Sequence, residues 1–340
     1  MFRAPCLAEG GASFSDDDRS MTTRVSEVCD DFVSVPGTGR VPVSLARVGP
    51  IVVEVRRNGM VEARHVVHAV AVRDGEIVAA AGDPHLVCFM RSSSKPIQAL
   101  PLARARGDLD DADLAIASAS HRATDDQIAA VRALLAKAPA TEDDLEVGLQ
   151  EGRPPQRVFH NCSGKHAGML ALCRAHGWPI AGYRLADHPV QQAALAAHVE
   201  AAETEPLAAA TDGCGVVTFA FPLERMAHAF ARLPHLLAGD RVAAAVRARP
   251  DLVGGPDGAD FHLMQRAPGW FAKGGAEGLL CGADDDHFGI ALKCEDGSSR
   301  PLEPALAAFL APLGIDLADL AVTPIRNSRN ELVGECKVAS

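Results

Sequence analysis

Arg91-Ser92-Ser93-Ser94-Lys95-Pro96 is the stretch on which the reading of this 340-residue chain turns. It sets a hydroxyl and an amine three residues apart. On a helix those two positions share a face, so the Ser92 and Lys95 side chains can meet. A buried, partly neutral lysine can take the serine's proton and turn a weak nucleophile into a usable one. Ser94–Arg106 reads as helical, which puts Ser92 at a loop-to-helix junction where backbone N–H groups are free to meet an oxyanion. Alone, Ser-x-x-Lys is a short pattern that arises by chance, so its weight depends on the rest of the chain.

Working outward, Ile51-Val52-Val53-Glu54-Val55 is a β-branched run of strand character. His65–Val72 and Ile77–Ala81 follow, separated by Arg73-Asp74-Gly75; Asp-Gly is a turn signal, and an antiparallel meander is expected. Downstream, Leu114–Ser118 reads as a buried strand ending at Ser120-His121, where active-site residues of α/β proteins often sit. Thr124-Asp125-Asp126-Gln127 is a capping box that opens an amphipathic helix to Lys137. Ser163–His176 reads as a helix stopped by Gly177 and Pro179, and Asp187 followed by Pro189 starts another that runs to Ala202. Alanine-rich helices are expected across much of 220–250 and 302–312, with Gly289–Cys294 a strand before the Asp296-Gly297 turn. No repeat or low-complexity linker interrupts 50–335. One α/β unit over residues 49–340 is therefore expected. Residues 1–48, rich in Gly, Ser, Asp and Pro, are expected to form a poorly ordered extension, with Met21 an alternative start to Met1.

A net charge of −11 with no basic block argues against a nucleic-acid or anionic-membrane partner. No apolar run approaches the ~20 residues of a membrane helix. Met1–Ser20 contains Asp16-Asp17-Asp18 and lacks an apolar centre, unlike a secretory signal. Nine scattered cysteines in such a chain suit reduced thiols in a cytoplasm better than a disulfide framework.

Several further clusters carry potential chemistry. Asn161-Cys162-Ser163-Gly164-Lys165-His166 opens the 163–176 helix, and Thr211-Asp212-Gly213-Cys214-Gly215 is a glycine-flanked turn. Two thiolates, a lysine and a carboxylate together suit zinc, which prefers sulfur and nitrogen donors. The plainer reading is a pair of inert buried cysteines, since no Cys-x-x-Cys is present and lysine is a rare ligand. Lys273 stands beside Gly274-Gly275 and can reach a cleft, although such a lysine is more often solvated on a loop. His121 suits a general base, but a lone histidine at a strand end more often makes a structural hydrogen bond. Gly-x-Ser-x-Gly, the P-loop pattern, a strand-linked Gly-x-Gly-x-x-Gly and His-Glu-x-x-His are all absent, which removes the α/β-hydrolase, nucleotide-loop, dinucleotide and zincin readings.

The Ser-x-x-Lys device is also that of penicillin-binding proteins and class A β-lactamases, but their Ser-Asp-Asn and Lys-Thr-Gly segments are missing. Taken in order, Arg91–Gln98, Ala119–His121, Asn161–His166 with Gly168-Met169, Thr211–Gly215, Lys273–Gly278 and Lys293–Gly297 resemble the rhizobial-type (class 3) L-asparaginases of the asparaginase II family, over about 48–335. The resemblance implies an α/β, serine β-lactamase-like fold, a mixed sheet with flanking helices. It also implies hydrolysis of the L-asparagine side-chain amide to L-aspartate and ammonia. Carried over by motif, Ser92 with Lys95 and Ser120 with Lys273 are two Ser–Lys tandems, and Arg91, His121 and Asp212 are substrate-binding. Cys162, Lys165 and Cys214 map onto a site for one zinc per chain that aids substrate binding, and a homodimer is expected. Where the family often has Ser-His-Ser, this chain has Ser120-His121-Arg122, a departure that bears on affinity or specificity. Another amidohydrolase of the same fold, acting on glutamine, a peptide or a β-lactam, and a non-catalytic amino-acid or metal-binding homologue are the alternatives.

Overall fold

The β-branched run and the two that follow it become β1 (Ile51–Arg57), β2 (Met60–Arg73) and β3 (Glu76–Ala81), an antiparallel meander as expected. Asn58-Gly59 and Asp74-Gly75 turn the chain between them with positive φ at both residues, the left-handed backbone that two-residue hairpins take. The computed structural model describes residues 49–339, and the extension expected over 1–48 lies outside them. The 14-residue β2 is the spine of the main sheet: β1 and β3 share one edge and β9 (Phe288–Cys294) takes the other. With β7 (Phe271–Gly275), β8 (Leu279–Ala283), β10 (Val322–Arg326) and β11 (Leu332–Val338), the order is β10-β11-β1-β2-β9-β8-β7, so β7 lies at one edge. Every pairing is antiparallel. A small second sheet joins β4 (Val87–Phe89), β6 (Val217–Pro222) and β5 (Ala208–Thr211) in that order.

Among the described residues ten helices accompany the sheets: α1 (Lys95–Ala105), α2 (Asp111–Ala117), α3 (Asp125–Lys137), α4 (Ser163–His176), α5 (Pro189–Ala202), α6 (Leu223–Arg232), α7 (Gly239–Ala248), α8 (Pro250–Val253), α9 (Ala259–Arg266) and α10 (Leu302–Leu310). α6 lies on one face of the sheet, where a Cβ on Gly289 would meet the Ala227 carbonyl at 2.2 Å. α9 lies on the other, against Gly282 through Leu263. α1 is buried on nearly every side, packing against α2, α4, α5 and α7, so it forms the centre of the helical layer. This is the α/β plan of sheet and flanking helices that the sequence implies, but among the described residues the sheet is antiparallel throughout and not the mixed one expected, because its neighbouring strands are joined as hairpins or meet in opposite sense. Among the described residues no helix is long and apolar enough to cross a membrane.

Two local expectations change. Leu114–Ser118, read as a strand, belongs to α2. Asp110 caps that helix by accepting from the Asp113 N–H while the Asp113 carboxylate accepts from the Asp110 N–H, and a short, fully buried apolar run carries no period to separate helix from strand. Lys273, read as more often a loop residue, lies within β7 and is 2% exposed. The capping box at Thr124 and the Gly177 stop of α4, with φ +66°, stand where the sequence puts them.

Candidate active site

Arg91 has φ +49°, strained backbone for a non-glycine residue, and is held there by its N–H on Thr218 Oγ1 (3.1 Å) and its side chain on Asp212 Oδ1 (2.5 Å). From it a tight 3₁₀ turn over Arg91–Ser94 leads into α1. Ser93 and Ser94 turn their hydroxyls back onto the Met90 and Arg91 carbonyls at 2.7 and 2.9 Å. The Ser93 N–H is likewise occupied, by the Met90 carbonyl, so it is not the free donor expected beside the helix start. Ser92 differs from its neighbours. It is partly exposed, and among the described residues neither its hydroxyl nor its N–H has a hydrogen-bond partner.

Lys95 is fully buried, and its Nζ donates to the Ala119 carbonyl (2.5 Å), Ser120 Oγ (2.9 Å) and Cys162 Sγ (3.2 Å). Its hydrogen bond therefore runs to Ser120 and not to Ser92, because the long side chain points into the gap between the ends of α2 and α4, where three acceptors converge. Burial pushes the amine down to about 8; Lys165 and Lys273 act the same way, and Cys162 and Cys214 oppose them. The Ser120 segment is fixed by its N–H on the Val253 carbonyl (2.7 Å) and by the His121 N–H on the Asn161 carbonyl (3.0 Å). His121 is fully buried with both ring nitrogens occupied: Nδ1 accepts from the Ala123 N–H and Nε2 donates to Ser163 Oγ at 2.8 Å. Burial, with Lys95 and Arg153 nearby, holds its pKa down at about 3, so the ring is neutral.

Lys273 projects from the edge strand β7 toward the same pocket. Its Nζ donates to the Gly274 carbonyl (2.8 Å) and lies 3.6 Å from Asp260 Oδ2. It makes no hydrogen bond to Ser120, yet its charge is felt by Lys95. Burial lowers its own pKa, with the Asp260 carboxylate opposing. Asp260, in the first turn of α9, also accepts the Gly274 N–H at 2.8 Å and thereby fastens the edge strand. Sequence reading missed it, since nothing near Gly258-Ala259-Asp260 sets that carboxylate apart. Arg122 lies along Gly255, where an added Cβ would stand 2.8 Å from Arg122 Cγ, and its charge also disfavours a second cation on Lys273.

Cys162, Lys165 and Cys214 come together across the start of α4 and the β5–β6 turn. Gly164 and Gly168 bring α4 close: a Cβ on Gly164 would sit 2.2 Å from the Ile116 carbonyl, and one on Gly168 3.0 Å from Ala117 Cβ. Lys165 Nζ donates to Cys214 Sγ at 3.0 Å, and the Cys214 thiol reaches Asp212 Oδ2 at 3.6 Å. The Cys214 hydrogen bond, with Lys95 and Lys165 nearby, overrides burial and holds the Cys162 thiol well below its usual value. Burial disfavours charge on Lys165, but Cys214, Cys162 and Asp212 together outweigh it and raise its pKa. Among the described residues His166 Nε2 is buried without a hydrogen-bond partner of good geometry, next to Cys214. Two buried sulfurs, one with its thiol pKa held low, a lysine nitrogen and a buried imidazole nitrogen fit the soft-donor preference of zinc.

Residues 53–338 match the family model described as L-asparaginase II. No curated protein matches the chain. Among solved structures, a novel penicillin-binding protein homologue from Caulobacter crescentus is similar at 15% identity and a TM-score of 0.33, covering 66% of this chain and 85% of that one. The family match takes in every segment of the pocket just described, from Arg91 to Lys273. The chain belongs to the L-asparaginase II family, whose members are asparaginase-type amidohydrolases.

Proposed function

We propose that this protein is an L-asparaginase that hydrolyses the side-chain amide of L-asparagine to L-aspartate and ammonia by serine–lysine catalysis. One observation carries the reading: the fully buried Lys95 amine, destabilised as a cation, lies 2.9 Å from Ser120 Oγ and one 3₁₀ turn from Ser92. A carboxamide needs an activated hydroxyl, a donor for the oxyanion and a proton for the leaving ammonia. Ser92 attacks the carboxamide carbon, because its hydroxyl is uncommitted and its own N–H is free to meet the oxyanion. Neutral Lys95, with Ser120 on its Nζ as relay, takes the serine proton and returns it to the nitrogen as the C–N bond breaks. Water then cleaves the ester to release aspartate. Lys273, anchored by Asp260, keeps the field on Lys95 positive and so favours its neutral form.

Arg91 and Asp212, already paired at the rim, suit the substrate's α-carboxylate and α-ammonium groups. His121 acts from beneath, neutral and bonded on both nitrogens, by holding the segment that carries Ser120. Zinc would be held by Cys162, Lys165 and Cys214 and would supply a fixed positive charge beside Asp212 that aids substrate binding. The family resemblance supports a homodimer. The seven cysteines among the described residues, all free thiols, support a cytoplasmic location.

The test is to quench the enzyme during turnover of L-asparagine and locate the acyl group by mass spectrometry, alongside ammonia release from asparagine, glutamine and a chromogenic β-lactam. An aspartyl ester on Ser92 with asparagine preferred is expected. An ester on Ser120 would reverse the assignment of the two serines, and preference for another substrate would replace the asparaginase reading.

A further inference from the structure

The Asp296-Gly297 turn singled out in the sequence takes no part in the chemistry above, yet it completes a cluster of metal-binding side chains. The β2–β9 register sets Val67 opposite Cys294, so His65 and Cys294 lie near one another on the same side of the sheet, with Asp296 just beyond the strand end. His65 Nδ1 meets Asp296 Oδ2 at 2.6 Å, and the Cys294 thiol donates to Asp296 Oδ1 at 3.0 Å. One donor atom from each residue lies within 4.8 Å of the other two. His65 and Cys294 are buried, whereas the Asp296 side chain is 48% exposed and opens the cluster to solvent. Among the described residues His65 Nε2 is buried without a partner, and the ring's polar contact there is to this cluster.

The frame around the three is fixed. The Glu295 N–H bonds the Val66 carbonyl (2.9 Å), the Cys294 N–H bonds the Gly278 carbonyl (2.8 Å), and Asp296 Oδ1 accepts the Ser298 N–H (2.9 Å). His65 and Cys294 are therefore set by sheet register, and Asp296 by the hydrogen bonds of its turn.

We propose that His65 Nδ1, Cys294 Sγ and a carboxylate oxygen of Asp296 form a second metal site, for a divalent cation of zinc type, with water completing the shell. Sulfur, imidazole nitrogen and carboxylate oxygen are the donors that zinc takes tetrahedrally. At ordinary zinc bond lengths, tetrahedral donors stand about 3.4–3.6 Å apart, so the present contacts open by less than ~1 Å, which the exposed Asp296 can supply by rotating. Entry of the cation displaces the Cys294 thiol proton to solvent. The imidazole ligates through Nδ1 and carries its one proton on Nε2. The site braces the active-site wall: a Cβ on Gly278 would lie 2.6 Å from the Ser298 carbonyl and 2.7 Å from Cys294 Cβ, so this turn packs on the β7–β8 hairpin that carries Lys273.

The inference does not rest on the asparaginase reading, and metal stoichiometry separates it from the Cys162–Lys165–Cys214 site. The full-length chain is equilibrated with zinc sulfate, dialysed and analysed for metal; cobalt(II) spectra then report thiolate ligation. Two equivalents are expected in the wild type, one in Cys294→Ser and His65→Gln, and one in Cys162→Ala, with the cobalt–thiolate band reduced in each cysteine variant. One equivalent that is lost in Cys294→Ser but kept in Cys162→Ala would sustain this site and remove the other. Should Cys294→Ser fail to fold, Asp296→Asn, altered only at a half-exposed side chain, gives the same reading. Metal content and cobalt spectra identical between wild type and the folded variants at 65, 294 and 296 would overturn the proposal.

Discussion

Burial is what makes Lys95 chemically useful: without water around it, the amine keeps its proton only weakly and settles near a pKa of about 8. The sign of the pH dependence follows. Below that value the amine is protonated and cannot act as a base, so kcat/KM for asparagine rises about tenfold per pH unit on the acid side and levels off above it. An initial-rate profile checks this, and in Ser120→Ala the limb should move, because Lys95 loses its hydroxyl partner. A profile falling through pH 8 would remove Lys95 as the base. The three-residue spacing places Ser92 and Lys95 one turn apart, as the sequence implies, but the side-chain contact it suggests is replaced by the bond from Lys95 to Ser120. The Lys95–Ser120 bond and the Asp260–Lys273 pair were not legible in the sequence, since each joins elements whose approach only the folded chain decides.

At the level of the elements, glycines set the distances that the chemistry needs. Gly164 lets the first turn of α4 approach α2 closely enough to seat Cys162 and Lys165 in the pocket. Gly164→Ala forces a methyl toward the Ile116 carbonyl, 2.2 Å from the Cβ position, and should cost about 1–3 kcal/mol by overpacking, read as a lower Tm with weakened metal binding. An unchanged Tm would show that α4 shifts freely and that Gly164 does not set the pocket's frame. Elements announced by local signals were legible: the meander by its Asp-Gly turn, α3 by its capping box, α4 by its glycine stop. α2 was misread because its apolar run is buried throughout and its cap, Asp110 with Asp113, uses a residue pair that sequence patterns mark less clearly than Ser/Thr with Glu/Gln.

Across the whole molecule, the pocket is assembled from the helical layer and from the edge strand of the sheet together. Neither part holds a complete set: Ser92, Lys95 and Cys162 belong to one, Lys273 to the other. Heating should therefore abolish ammonia release and helical circular dichroism at one common midpoint. Activity lost well below that midpoint would mean that β7 detaches separately. Chelation should lower the midpoint, since a ligand bound only by the folded state stabilises it. The class of fold could be read from the alternation of strand and helix patterns. The strand order could not, because pairing β1 with β11 and β2 with β9 joins segments more than two hundred residues apart, which no local spacing encodes. Joint action of Ser92 and Lys95 in the hydrolysis is decided by ammonia release from L-asparagine by the wild type, Ser92→Ala and Lys95→Met. Release by the wild type and at least a ~10³-fold loss in each folded variant is expected; release at wild-type rate from either variant, or none from the wild type, would overturn the mechanism.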